Sequence, residues 1–282
     1  MDKLADLHTH TTASDGCLTP SQVVEAASRA GLAAVAITDH DTVDGIDEAL
    51  AAGERFGIEV IAGVEISAMY GEKLEVHVLG YFVDHKQPSL LKRLATLKTA
   101  RWNRAREMVD NLNAAGVHVS FERVVELAQG GAIGRPHVAK AIVEAGAASS
   151  IGSAFGNYLL EGCPGYVPRY KVTPFEAMDM IATAGGIACC AHVAKLKNDE
   201  LLVKLIDNGL RAIEVWHPDH NSAARRFYKR FARSRGLIAT GGSDSHCFAS
   251  DLRPGVGDVT VPYDAVIELR LASRLRNNSR YT

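Results

Sequence analysis

DLHTHTTASDG, residues Asp6 to Gly16, is the stretch that decides how this chain is read. It opens in an apolar run and closes on a glycine. His8 and His10 stand two residues apart within it, and Asp15 follows five residues later. Side chains alternate across a strand, so histidines spaced by two share a face and can grip one ion. A single H-x-H pair carries little weight. The same chemistry recurs along the chain at the ends of other strand-like runs.

Apolar, β-branched runs predict strands at Leu4–His8, Ala33–Thr38, Glu59–Glu65, Leu74–Tyr81, Gly186–Ala191, Ala212–Trp216 and Leu237–Gly241. Between them, TPSQVVEAASRAG, DGIDEALAAGERFG and TPFEAMDMIATAGG combine helical spacing with a glycine stop, the first and third behind a Thr-Pro start. Strand and helix in alternation predict a parallel sheet, open or closed into a barrel. The strands run out into His8 and His10, His40, Glu65, His192, Glu214 and His217, then Asp244 and His246. A β/α barrel builds its active site at the carboxyl ends of its strands, so one barrel mouth can gather them all. His77 sits inside LEVHVLGY, an apolar strand where an unpaired imidazole is costly. Residues 88–170 break the rhythm and read as helices. The expected organisation is a barrel from residues 1–87 and 171–282 with a helical insertion over 88–170.

The 282 residues can bury a large core, and 47% hydrophobic with 23% charged residues is ordinary for a soluble enzyme. A net charge of -2 argues against a broad nucleic-acid surface but leaves room for a local anion site. Five cysteines, an odd number with Cys189 and Cys190 adjacent, suit a reducing cytoplasm better than a disulfide framework. No run approaches the roughly 20 apolar residues of a membrane helix. A soluble cytoplasmic protein is expected, with no membrane and no protein partner implied.

Taken together, DLHTHTTASDG, ITDHDT, GVEIS, VHVLG, AHV and GSDSH resemble the motifs of the PHP (polymerase and histidinol phosphatase) family of the amidohydrolase group. The resemblance runs from Ala5 to His246. The short chain and its GRPHVA stretch look most like the branch of 3',5'-nucleotide bisphosphate phosphatases and a related 5'-to-3' exoribonuclease. It implies an α/β fold, a distorted (β/α)7 TIM-like barrel with a helical insertion, holding three divalent ions. Carried over by motif, His8, His10, Glu65 and Asp244 hold one ion. Glu65, His77 and His192 hold a second, and Asp15, His40 and His246 a third. Some relatives have histidine where Asp15 stands.

Six neutral imidazoles and three carboxylates around three divalent ions leave a net charge of about +3, which favours a phosphate. Nitrogen and oxygen donors without thiolate suit Mn, Zn or Fe better than Ca or Mg and do not choose among the three; Mn is the expected ion. Paired metals activate a bridging water and stabilise the leaving oxygen, so phosphoester hydrolysis follows, with a metal-bridging hydroxide as nucleophile. Asp244 is the expected proton acceptor, and His217 contacts substrate or protonates the leaving oxygen. Arg135 opens a helix after a glycine, and Lys171 follows Arg169 where the chain returns to the barrel. Both cations are expected to bind phosphate. The expected substrate is a small nucleotide, a nucleoside 3',5'-bisphosphate such as pAp, which would lose its 3'-phosphate to give the 5'-monophosphate. A 5'-to-3' exonuclease acting on short RNA or DNA ends is the first alternative. Histidinol-phosphate phosphatase and a non-catalytic, metal-stabilised binding module follow. No nucleophile elbow, Walker loop or C-x-x-C pattern offers another chemistry.

Other residues read more plainly. His137 is expected on a helix face, and His85, His118 and His220 at the surface. Asp39 and Asp41 flank His40 as orienting groups rather than ligands. Cys189 and Cys190 read as core. The six basic residues between Arg225 and Arg235 read as a solvated helix face, with guidance of an RNA chain as the other reading.

Overall fold

The computed structural model describes residues 3–170, 172–246 and 255–278. Strands β1 (Leu4–Thr9), β2 (Ala34–Ile37), β3 (Glu59–Tyr70), β4 (Leu74–Tyr81), β5 (Ile187–Cys190), β6 (Ala212–Trp216), β7 (Ile238–Gly241) and β8 (Val261–Pro262) form one sheet in the order β7-β6-β5-β4-β3-β2-β1-β8. The segment after β7 returns to β1: Asp244 N donates to His8 O (2.8 Å) and His10 N to Ser245 O (3.1 Å). The sheet therefore curls into a nearly closed α/β barrel, and β8 pairs with Leu4 and Ala5 along the same edge of β1, the one away from β2.

Helices α1 (Pro20–Arg29) and α2 (Ile46–Phe56) carry the crossovers from β1 to β2 and from β2 to β3. Thr19 caps α1 with a full capping box, and Pro20 occupies its first turn. The outer core joins Val35, Ile37, Val64 and Val78 of the strands to Val23, Val24, Ala49, Met180 and Leu205 of the surrounding helices. A second apolar layer sets Ala5, Leu7, Ala34, Ala36 and Cys189 against Val266 and Leu269 of the last helix.

The all-parallel expectation fails at β4. It runs antiparallel to both β3 and β5, because residues 71–73 make a tight link with Gly71 at φ +65°. A hairpin needs no crossover helix. His77 consequently lies in the first half of β4 rather than at a carboxyl end, and β3 is extended to twelve residues.

Helices α3 (Pro88–Ala114), α4 (Phe121–Leu127), α5 (Arg135–Glu144) and α6 (Ile151–Ala154) fill the region between β4 and the next barrel helix, α7 (Pro174–Thr183). Leu90, Leu94 and Leu97 of α3 pack into the outer barrel core. Ala105, Met108 and Leu112 of the same helix build a separate core with Val124, Val138 and Ile142. One helix thus serves two cores, with Arg101 and Arg104 at the join. The remaining helices are α8 (Asp199–Asp207), α9 (Ser222–Arg235) and α10 (Asp264–Asn278). Among the described residues, no helix is long and apolar enough to cross a membrane. Cys163, Cys189 and Cys190 are free thiols, whereas Cys17 is disulfide-bonded, contrary to the reading of every cysteine as reduced.

Candidate metal centre

His8 from β1 and His10 just beyond it turn Nε2 toward one oxygen, Glu65 Oε2, at 3.4 and 3.3 Å. Asp244 Oδ1 approaches the same two nitrogens at 3.3 and 3.1 Å. Around this centre, the ligand atoms of His10, Asp15, His40 and His246 lie within 4.8 Å of one another. So do those of His8, His217 and Asp244, and those of His40, Glu65 and His77. His192 Nε2 stands 3.4 Å from Glu65 Oε1 and its ring meets His77 edge-on. The expected trio of Glu65, His77 and His192 is therefore looser than Glu65 with His77 and His40. His217, expected only to contact substrate or donate a proton, joins a ligand-like group.

The decisive detail is what these atoms lack. His40 Nδ1 lies 2.9 Å from Glu65 Oε2, yet neither atom makes a hydrogen bond. His8 Nε2, both ring nitrogens of His10 and Asp15 Oδ1 are likewise buried without a partner. Orphaned buried polar atoms are costly and rare, and here they converge with lone pairs facing one another. More than one cation is needed to satisfy them, since His10 Nε2 faces Glu65 and Asp244 while its Nδ1 faces Asp15. Mixed imidazole and carboxylate donors fit a first-row divalent ion.

Buried neighbours hold the ligands in place. Glu214 Oε1 meets His8 Nδ1 at 3.0 Å, and its Oε2 accepts from His192 N at 2.6 Å. Fixing Nδ1 of His8 leaves Nε2 for the centre. Asp39 accepts from Thr11 N, Thr11 Oγ1 and Ser14 Oγ, which pins the loop carrying Asp15. Asp41 accepts from Ser67 N and pairs with Arg101. Both aspartates orient, as the sequence suggested. Asp6 accepts from Ser243 N and Gly257 N, tying β1 to the segments after β7. Asp41, His192 and Asp244 adopt positive φ of 53°, 31° and 51°. Such strain costs on the order of 1–3 kcal/mol each and collects at functional sites.

Burial raises the pKa of Asp15, Glu65 and Asp244, but the imidazoles facing them outweigh it and hold all three well below the usual carboxylate range. Burial also disfavours charge on His8, His10 and His77. Nearby carboxylates win again, lifting His8 well above its ordinary value, His10 to about 10 and His77 to about 9. Burial prevails at His40, which falls to about 4, and it lowers His192. The carboxylates are thus ready as ligands, and a bound cation takes the place of the protons on His8, His10 and His77.

A second group of charges lies beside the first. A cavity of about 220 Å³ is lined by Asp15, His40, His77 and His246 on one side and by Arg101, Arg135 and Arg169 on another. Glu75 bridges the two sides: Oε1 meets His77 Nε2 at 2.9 Å and Arg169 at 2.7 Å, while Oε2 meets Arg135 at 3.3 Å. Arg169 keeps Nη1 buried and unpartnered. Arg104 is pushed down to about 9, by burial first and then by Arg169, Arg135 and Arg101. Such crowding of guanidiniums favours an anion. An adjoining space of about 330 Å³ reaches His192, Lys195 and Asp244. Arg135 lies where the sequence placed it, Lys171 falls outside the described residues, and Arg101 and Arg104 were not singled out.

His220 departs from expectation. It is buried, with Nδ1 2.9 Å from Val215 O and Nε2 accepting from Ala194 N at 3.2 Å. It braces the loop behind His192 and His217. His137 is buried and accepts from Gly134 N at the start of α5.

Residues 6–156 match the PHP domain. A 3',5'-nucleoside bisphosphate phosphatase of Chromobacterium violaceum is 35% identical over 247 residues, covering 86% of each chain. The 5'-3' exoribonuclease Rnm of Escherichia coli is 37% identical over 248 residues, covering 86% of this chain and 84% of that one. A solved amidohydrolase from Chromobacterium violaceum, with bound sulfate and no metal, superposes with a TM-score of 0.85 at 33% identity. That match covers 94% of this chain and 96% of the other.

Proposed function

Because the chain belongs to the PHP family, we propose that this phosphoesterase removes the 3'-phosphate of nucleoside 3',5'-bisphosphates such as pAp. The products are the 5'-monophosphate and inorganic phosphate. One observation carries the reading: side chains able to hold a metal ion and an arginine cluster line the same cavity. A substrate with two phosphates can set one against each.

His8, His10, Glu65 and Asp244 would hold one divalent ion. Glu65 and His77, with His192 or His40, would hold a second, and Asp15, His40 and His246 a third. Mn is our first choice of metal. Bound ions supply Lewis acidity, a water that is nucleophilic near neutral pH and neutralisation of phosphate charge. The chain's own groups do the rest. Arg135, Arg169 and Arg101 fix the 5'-phosphate and thereby aim the 3'-phosphate at the ligand set. Asp244 takes a proton from the attacking water. His217 accepts from Asp219 N through Nδ1 (3.1 Å), so in its neutral form Nε2 carries the proton, 3.3 Å from Asp244 Oδ2. His217 thereby holds Asp244 in place, and the proton that Asp244 takes from water passes to the ribose 3'-oxygen as its bond to phosphorus breaks.

The 5' end of an RNA presents the same two groups, a terminal phosphate and a phosphodiester one nucleoside away. The exonuclease reading therefore uses the same pocket, and the cationic face of α9 favours it. Phosphorus NMR of pAp turnover by the Mn-loaded protein tests the proposal. Inorganic phosphate and 5'-AMP are the expected products, whereas 3'-AMP would place the wrong phosphate at the ligand set.

A further inference from the structure

Helix α9 carries Arg225, Arg226, Lys229, Arg230, Arg233 and Arg235 and no acidic residue. At 3.6 residues per turn, Arg226, Arg230 and Arg233 form one stripe, about 100° or more round the helix from the buried Ala232, with Lys229 at its edge lying 5.6 Å from the Trp216 ring centroid. All four are exposed, and among the described residues none is in an ion pair. Arg226 with Arg230 and Lys229 with Arg233 are like-charge pairs at i,i+4, which destabilise a helix. Nothing within the helix offsets that repulsion; a polyanion would.

Two further observations give the stripe a direction and a partner. Arg225 donates from Nη2 to His217 O at 3.0 Å, and α9 packs on the turn Val193–Lys195. Lys195 of that turn lines the space beside His192 and Asp244. The stripe thus begins at the lip of the candidate site and runs away from it. Along its border Phe227 is 48% exposed, its ring stacked on Phe231 at 6.3 Å. Cations flanking an exposed aromatic ring are what a single-stranded nucleic acid requires, phosphates on the charges and a base on the ring. From Arg226 to Arg233 the helix rises about 10 Å.

We propose that α9 binds the body of a single-stranded nucleic acid whose 5' end enters the metal centre. The position of the 5' end rests on the phosphoesterase reading; the surface itself does not. Both are tested by measuring binding of a 5'-phosphorylated RNA of about eight nucleotides. Fluorescence anisotropy in the presence of EDTA, over a range of salt, compares the protein with R226Q/R230Q/R233Q. The triple variant should bind on the order of tenfold more weakly, with its salt slope reduced by about two, since each lost phosphate contact removes about 0.7. Its turnover of pAp with Mn should be unchanged, which shows that the variant is folded. Equal affinity and equal slope for the two proteins would overturn the proposal. RNA binding lost in the variant, together with no turnover of pAp or RNA by the unaltered protein, would support the surface and refute the phosphoesterase reading.

Discussion

Glu214 acts on its neighbours rather than on a bound ion. Fully buried, it fixes the ring of His8 with one oxygen and the backbone of His192 with the other. Glu214→Gln keeps the volume and removes the charge that sets the His8 tautomer. Divalent-metal affinity should fall roughly 10- to 100-fold, read by competition against a chelator; unchanged affinity would show that His8 needs no such partner. At this scale the sequence was most legible where ligands sit in short motifs, as in His8-Thr9-His10 and Asp244-Ser245-His246. It was least legible where the partner is distant in the chain. Arg101 and Arg104 lie in LKTARWNRARE, which reads as a solvated helix face until the fold brings Asp41, Glu75 and Arg169 beside it. His220 was misread for the same reason: its two backbone partners belong to β6 and to the turn after His192.

The seam between β1 and the segment after β7 is the element on which the centre depends, because it places Asp244 beside His8 and His10. Gly242 stands in that seam. A Cβ there would run into His8 N and come within 2.7 Å of Asp6 Oδ1, contacts that force the strands apart. Gly242→Ala should cost roughly 1–3 kcal/mol, as overpacking typically does. That corresponds to a fall of about 5 °C in Tm by calorimetry, and an unchanged Tm would mean that the seam yields without cost. The positions of all seven longer strands were legible, since apolar runs and glycine stops mark them. The direction of β4 was not. Gly71 was the available signal, a residue suited to a positive φ between two strand-like runs.

The whole molecule carries a net charge of only -2, yet it concentrates positive charge in two places. One is the arginine cluster beside the metal centre and the other the outer face of α9. Net charge averages over such patches, whereas a substrate meets the local field. That is why composition argued against a broad nucleic-acid surface while the fold supplies a narrow one. On the proposed function, a second phosphate held by Arg101, Arg135 and Arg169 positions the first for hydrolysis. Its most direct test compares kcat/KM of the Mn-loaded protein on pAp and on 3'-AMP, which differ only in the 5'-phosphate. pAp should be preferred by about a hundredfold or more, equivalent to about 2.7 kcal/mol of transition-state binding. Equal kcat/KM for the two compounds would contradict it, leaving the arginine cluster without a role in catalysis.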